Sequence, residues 1–293
     1  MDLHVGSGEV YGFLGPNGAG KTTTIHMLLG LVQPTAGEVM LFDRSAKHND
    51  LSLKRRVGVI AEEPISSPQM TAWEFIRFFA DLNGARQPEG RMAELFETLD
   101  LWDVRHGRVR EYSRGMRQKL SLIRALVHDP ELLILDEPVS GLDPRGIVQV
   151  RTLVEAHRRQ GGAALISSHI LSEIERSADR VGIIHQGRLL VEDTIDGIRR
   201  RLQEETVIRL ELAELPEGLV PALEALASVK HVASDGQRLV LYTAGVDDVR
   251  PSIFETIVAR GGIVVAMSTD QISLEEAFVT ITNQTVQQLS GAA

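Results

Sequence analysis

The chain has 293 residues, 43% of them hydrophobic, enough for one large domain or two modest ones with real cores. Its 31 basic and 40 acidic residues leave a net charge of −9, which argues against a nucleic-acid binder, whose surface ordinarily carries a basic footprint. With no cysteine, disulfides and thiol chemistry are excluded and a reducing compartment fits. Met1–Glu9 lacks the charged-then-apolar pattern of a signal peptide, and no run approaches the roughly 20 apolar residues that a spanning helix needs.

In chain order, a strand-like stretch, Val10–Leu14, runs into Gly15-Pro16-Asn17-Gly18-Ala19-Gly20-Lys21-Thr22-Thr23, and a helical pattern, Thr24–Leu29, runs out. The loop fits G-x-x-x-x-G-K-[ST] at every fixed position. Glycines let the backbone fold tightly, so that successive N–H groups point inward at phosphate oxygens, and the following helix adds its positive end. In such a loop Lys21 reaches the β- and γ-phosphates and Thr22 offers its hydroxyl to Mg²⁺. A plain glycine turn is the bland alternative, and the strand and helix flanks weigh against it.

Val57–Ala61 reads as a second strand, followed by Ala61-Glu62-Glu63-Pro64. Thr71–Asn83 reads as an amphipathic helix: Thr71 and Glu74 have capping-box spacing, Ala72, Phe75, Ile76 and Phe79 share a face, and Gly84 stops it. A further helical region covers about Arg91–Leu99. Leu132–Asp136 is an apolar strand ending in two carboxylates, Asp136 and Glu137, and Ala163–Ser168 and Val181–His185 are strand-like again. Apolar strands alternating with helices predict a largely parallel α/β sheet covered on both faces. A phosphate loop needs a buried strand whose terminal Asp supports Mg²⁺, and Asp136 suits that role; Glu137, next in line, is placed to take a proton from an attacking water. After about Arg201 the spacing tightens, with segments at Val207–Leu212, Leu219–Ala227, Val229–Val232, Arg238–Tyr242, Val249–Ala259 and Ile263–Met267. That β-α-β-β-α-β order predicts a separate, ferredoxin-like domain.

Residues 3 to 200 together resemble the ATP-binding subunit of an ABC transporter. The resemblance rests on the joint order of the phosphate loop, Asp136-Glu137-Pro138, Ser140-Gly-Leu-Asp143 (similar to the D-loop), Ile166-Ser-Ser-His169 (similar to the switch histidine) and Tyr112-Ser113-Arg114-Gly115-Met116, similar to the signature LSGGQ. It implies a P-loop NTPase fold, an ABC ATPase domain over residues 1–204 with a helical subdomain at about 65–130, plus a small C-terminal α+β accessory domain at 205–293. It also implies ATP and Mg²⁺ as cofactors and hydrolysis with Glu137 as base and His169 positioning the γ-phosphate and water. Two subunits, expected to be identical copies, would pair head to tail, with Ser113 and Gly115 of one gripping the γ-phosphate held by the other, and Asp143 of the D-loop-like string counted with them among the nucleotide-binding residues.

The chain departs from the family pattern in three places. Arg114 replaces the middle Gly and Met116 the Gln of the signature; Arg114 would either bring positive charge to the partner's phosphate or lie in solvent. The neighbouring basic residues Arg105, Arg108, Arg110, Arg117 and Lys119, like Arg199–Arg201, read as a solvated helix face and not a nucleic-acid patch. Where relatives place a Gln that contacts Mg²⁺ and water, this chain has Glu62, still an oxygen ligand but negatively charged; the expectation is metal binding kept and hydrolysis rate altered. Finally, only fourteen residues precede Gly15, too few for the front strands that carry the family's adenine-stacking aromatic. Tyr11 is not that residue. Either the start lies downstream of the true one or adenine is held without the platform, which would weaken ATP binding about 5- to 150-fold.

The C-terminal pattern and the closing Ile272-Ser-Leu-Glu-Glu-Ala-Phe278 resemble the tail of type 2 ABC exporters, the drug and antibiotic efflux group. That implies a separate transmembrane permease holding this chain at the cytoplasmic face of the membrane. Its coupling helix would dock near the Glu62 loop and Thr71–Asn83, where Trp73, Phe75, Phe78 and Phe79 are apolar material divided between core and groove. Two other readings stay open: a soluble ABC ATPase acting on nucleic acid or the ribosome, which usually carries paired cassettes, coiled-coil insertions or zinc motifs, and a non-hydrolysing regulator, which Glu137 and His169 argue against.

Overall fold

Val10–Leu14 forms β1, and every one of its five residues is buried. A strand buried on both faces needs cover on both, and the chain supplies it with helices between parallel strands. In the computed structural model, which describes residues 1–46, 50–61, 67–168, 170–202, 205–244, 248–270, 274–275, 278–279 and 281, β1 is followed by α1 (Lys21–Leu28), a short hairpin of β2 (Met40–Leu41) and β3 (Arg44–Ser45), α2 (Leu51–Lys54) and β4 (Val57–Ile60). Then come α3 (Ala72–Asn83), α4 (Glu89–Thr98), α5 (Arg114–Leu126), β5 (Leu132–Asp136), α6 (Pro144–Arg159), β6 (Ala163–Ser168), α7 (Leu171–Ser177), β7 (Arg180–His185) and β8 (Arg188–Thr194).

The sheet runs β4-β5-β6-β1-β7-β8, and the first five strands in that order are parallel to one another. From β1 the chain leaves toward β4, whereas from β6 it crosses to β7 on the other side. Adjacent strands whose connections diverge leave a crevice at their carboxyl ends, the usual ligand position of an open α/β sheet. β8 was not anticipated from the sequence. Its apolar core is only Leu189-Leu190-Val191, at a sheet edge, and it is brought back by a two-residue turn, Gln186–Gly187, with both φ positive.

Between β4 and β5 the chain is helical. α3 begins with the capping box foreseen for it: Thr71 N–H donates to Glu74 Oε2 at 2.9 Å, Glu74 N–H donates to Thr71 Oγ1 at 3.2 Å, and Gly84 closes the helix at φ 78°. Its inward face is Ala72, Phe75, Ile76 and Ala80; fully burying one such large apolar side chain contributes about 1.5–3 kcal/mol. Phe79 is only half-buried and packs edge-on to Phe75.

The chain divides into two compact units, Met1–Asp193 and Thr194–Ala293. The second holds α8 (Ile195–Leu202), β9 (Glu205–Leu212), α9 (Leu219–Glu224), β10 (Val229–Asp235), β11 (Arg238–Ala244), α10 (Arg250–Ala259) and β12 (Val264–Asp270). Its sheet is antiparallel in the order β10-β11-β9-β12, the split β-α-β-β-α-β arrangement. On β9, buried Ile208, Leu210 and Leu212 alternate with more exposed Arg209 and Glu211 and pack with Leu219, Leu223, Ile253 and Ile257 of the two covering helices. Among the described residues, no helix is long and apolar enough to cross a membrane.

Candidate nucleotide site

The phosphate loop leaves the end of β1 and returns as α1. Gly15 has no room for a side chain, since a Cβ there would sit 2.5 Å from the Ile184 carbonyl oxygen. Gly20 takes φ 108°, a value open to glycine, and as N-cap it offers α1 no side-chain acceptor. The first amides of α1 therefore receive no capping oxygen from the N-cap side chain. The β7–β8 turn braces the loop from outside, with Gly187 N–H donating to Ala19 O at 2.8 Å. Lys21, 8% exposed, donates through Nζ to Gly15 O at 2.6 Å and Pro16 O at 3.3 Å. Its ammonium therefore lies inside the curl of the loop.

Two strands away, Asp136 closes β5 at 3% exposure. A buried carboxylate needs donors, and it has two. Thr22 Oγ1 donates to Oδ2 at 3.2 Å, and Ser167 Oγ on β6 donates to Oδ1 in a short contact. Thr22 and Asp136 thus present hard oxygen atoms side by side at the crevice. No group of three or more His, Cys, Asp or Glu that could hold a metal occurs among the described residues. A lone carboxylate with a hydroxyl fits Mg²⁺, which keeps waters and takes phosphate oxygens and does not ask for an all-protein cage.

Glu137 follows at φ 51°, left-handed for a residue that is not glycine. Such backbone costs on the order of 1–3 kcal/mol and concentrates at functional positions. Its N–H is held by Ser167 O at 3.1 Å and Ser167 Oγ at 3.3 Å. From α5, Gln118 Nε2 donates to Glu137 O at 3.2 Å and Pro138 O at 3.0 Å. Sequence reasoning missed both Ser167 and Gln118. Ser167 lies inside the Ile166-Ser-Ser-His169 string and was within reach; Gln118 had no signal other than a polar residue among the apolar positions of α5.

The signature-like segment is built differently. Ser113 is the N-cap of α5, its Oγ accepting from Met116 N–H at 3.2 Å, which leaves its own proton free to donate. A Cβ on Gly115 would lie 3.1 Å from Gly141 O, so the start of α5 abuts the loop after Glu137. Asp143 caps α6, accepting from Gly146 N–H at 2.8 Å, with Pro144 at the first helical position. Hydrogen bonds within the chain therefore tie the phosphate loop to Asp136 through Thr22, while Ser167 and Gln118 hold the Glu137 backbone between Asp136 and the start of α5. Glu62 and His169 lie outside the described residues.

The basic residues of this region do not form one solvated helix face. The Arg105 guanidinium lies 3.7 Å over the Trp102 ring, Lys119 donates to Leu99 O at 3.1 Å, Arg117 donates to Tyr112 O, and Arg114 donates to Ser140 Oγ at 3.0 Å. Of the aromatics on α3, Phe75 is core and Trp73 packs on Phe96 and Trp102, whereas Phe78 is 53% exposed beside Leu82 at 58%.

A glycine-rich phosphate loop between a buried parallel strand and an uncapped helix, facing an aspartate at the end of a second strand, defines a P-loop nucleotide-binding protein. The family model described as ABC transporter matches residues 1–140. The chain is 44% identical over 202 residues to the bacitracin transport ATP-binding protein of Bacillus licheniformis, covering 69% of this chain and 66% of that protein, so it spans about two thirds of that relative's length. It is 33% identical over 293 residues to an uncharacterised ABC transporter ATP-binding protein of Bacillus subtilis (strain 168), covering 100% of this chain and 93% of that one. A solved structure of the ATP binding subunit of an ABC transporter superposes with a TM-score of 0.66 at 32% identity, over 68% of this chain and 84% of that chain. The chain belongs to the ABC transporter ATP-binding protein family.

Proposed function

We propose that this chain binds ATP with Mg²⁺ at Gly15–Thr23 and hydrolyses it in a head-to-tail pair of identical subunits, powering export through a separate transmembrane permease at the cytoplasmic face of the membrane. The observation that carries the reading is the Thr22–Asp136 hydrogen bond, 3.2 Å, which sets the phosphate loop against a buried carboxylate with Glu137 next in the chain.

In this reading the amides at the start of α1 and the Lys21 ammonium hold the β- and γ-phosphates. Thr22 and Asp136 hold Mg²⁺, which neutralises charge on the phosphate oxygens. Glu137 takes the proton of the attacking water, and its fixed, left-handed backbone aims the carboxylate. Ser113 has a hydroxyl proton to give to the partner's γ-phosphate while its lone pair caps α5. His169, positioning the γ-phosphate and water, and Glu62, beside the metal, rest on the family pattern alone. Residues 1–204 are taken as the ATPase part. The domain at 205–293, whose sheet begins at Glu205, is taken as accessory. Antibiotic-like cargo is supported by the bacitracin transport relative, and exposed Phe78 and Leu82 offer the permease an apolar contact.

The test is co-expression with a membrane protein encoded beside this chain, followed by purification through a tag on the chain. The expected result is co-purification of the permease and phosphate release that depends on Mg²⁺. Recovery of RNA or DNA in place of a membrane protein would contradict the transport reading, and nucleotide binding without phosphate release would contradict the enzymatic one.

A further inference from the structure

Arg114 stands at the first position of α5, where a phosphate held by a partner subunit would attract any positive charge. Its side chain turns elsewhere. Nη2 donates to Ser140 Oγ at 3.0 Å, and the stem lies across Gly141, where a Cβ would meet Arg114 Nε at 2.9 Å and Cδ at 3.0 Å. Gly141 has φ 75°, so both its backbone and its missing side chain suit the arginine above it. Ser140 N–H in turn donates to Glu137 O at 3.2 Å, and Leu142 N–H donates to Val139 O at 3.2 Å. The 139–142 loop is therefore a compact turn folded back on the residue proposed as base.

We propose that Arg114 is a positioning residue which fastens the start of α5 to the 139–142 loop of its own subunit and so helps to set where Glu137 sits. α5 grips this segment at two heights. Arg114 holds residues 140 and 141, and Gln118, one turn further on, holds the carbonyls of 137 and 138 at 3.2 and 3.0 Å. Any shift of the Ser113 end of α5 is carried to the Glu137 backbone through both. The guanidinium is thus directed at a neutral hydroxyl of its own chain, not at the partner's phosphate. For its effect on turnover the inference rests on the ATPase reading above.

The experiment compares the full chain with Arg114→Ala, Ser140→Ala and the double variant. It measures phosphate release as a function of ATP, and hydrogen exchange of the amides of residues 139–142 in nucleotide-free protein. Ala is a good helix former at an exposed first position, so α5 is kept, and Ser140→Ala removes the acceptor with Arg114 intact. Each single variant is expected to lower kcat about 2- to 10-fold, the span of one hydrogen bond, with the KM for ATP within about twofold. The double variant should be no worse than either single, and exchange of the loop amides should speed up in both singles. A raised KM in Arg114→Ala with Ser140→Ala silent would place the guanidinium on the partner's phosphate and overturn the proposal, as would additive losses or unchanged exchange. Because the exchange arm needs no nucleotide, a wild-type chain that releases no phosphate would refute the ATPase reading while the latch is still judged.

Discussion

The starts of α1 and α5 are opposite solutions to the same problem. Both helices expose first-turn amides, and both lie next to residues assigned to phosphate. α1 begins at Gly20, which supplies no capping oxygen, and its neighbourhood is tied back through Lys21, Thr22 and the Gly187 amide on Ala19 O. α5 begins at Ser113, which caps it, and its surroundings are satisfied from within: Arg114 to Ser140, Gln118 to the carbonyls beside Glu137, and Asp143 capping α6 alongside. In the proposed reading the first end is completed by the nucleotide's phosphates. The second is a finished piece of scaffold that keeps one hydroxyl proton to spare, as expected of a surface that acts on another subunit's nucleotide.

The largest effect that can break this contrast is at the open end. Lys21→Ala removes the ammonium from the loop and should weaken ATP binding about 100-fold, a loss of two charge-assisted contacts, read by titration with a fluorescent nucleotide. Near-native affinity would mean that the loop is not the phosphate site. At the finished end, Ser113→Ala should lower turnover about 10-fold, since a hydrogen bond to a charged group is lost, while ATP affinity of the isolated subunit stays within about twofold. Equal losses of affinity and turnover would merge the two ends into one site within a single chain.

A smaller effect of the same substitution sharpens the scaffold side. Ser113→Ala loses the cap of α5, which costs about 1 kcal/mol and should lower Tm by about 2–4 °C in a unit of this size. Ser113→Thr, which keeps a capping oxygen, should restore most of that. An unchanged Tm in Ser113→Ala would show that the cap is not what holds the start of α5.

The smallest predicted effect tests how dry the scaffold is at the far end of α6. His157 is buried and its Nε2 lies 3.1 Å from Ala163 O. Burial, helped by Arg91, holds its pKa below the ordinary 6.5, opposed by the bond to Ala163 and by Asp129. A histidine with a lowered folded pKa binds fewer protons folded than unfolded. Its contribution is therefore intact above about pH 6.5 and is lost as pH falls through the folded value. Tm should drop below pH 6.5, and His157→Gln, which can keep a donor toward Ala163, should flatten that slope by a few degrees or less. Half-buried His128, whose pKa is also lowered by desolvation, leaves a residual slope. An identical slope in the variant would remove His157 as a source.

Much of this was readable in the sequence wherever a pattern is local. β5 and β6 have the bounds that their continuous apolar runs predict, and α3 starts and stops where Thr71, Glu74 and Gly84 say it should. The ferredoxin-like order of β9 to β12 followed from close spacing of alternating segments. What was not readable is tertiary. β8 has too short an apolar core to announce itself, because an edge strand needs cover on fewer sides. No local pattern says that Ser167 will donate to Asp136, or that Gln118 will reach the carbonyls of Glu137 and Pro138. Arg114 is the clearest case. Sequence allowed phosphate or solvent, and the structure supplies a third partner, Ser140, which lies 26 residues away.

The account stands most directly on Glu137 as the base beside a phosphate loop that binds without it. ATP affinity and phosphate release should therefore be measured side by side for the wild-type chain and Glu137→Gln. The predicted result is ATP affinity within about twofold of wild type with phosphate release down about 100-fold or more, the range for losing a general base. Phosphate release at the wild-type rate in Glu137→Gln would contradict it.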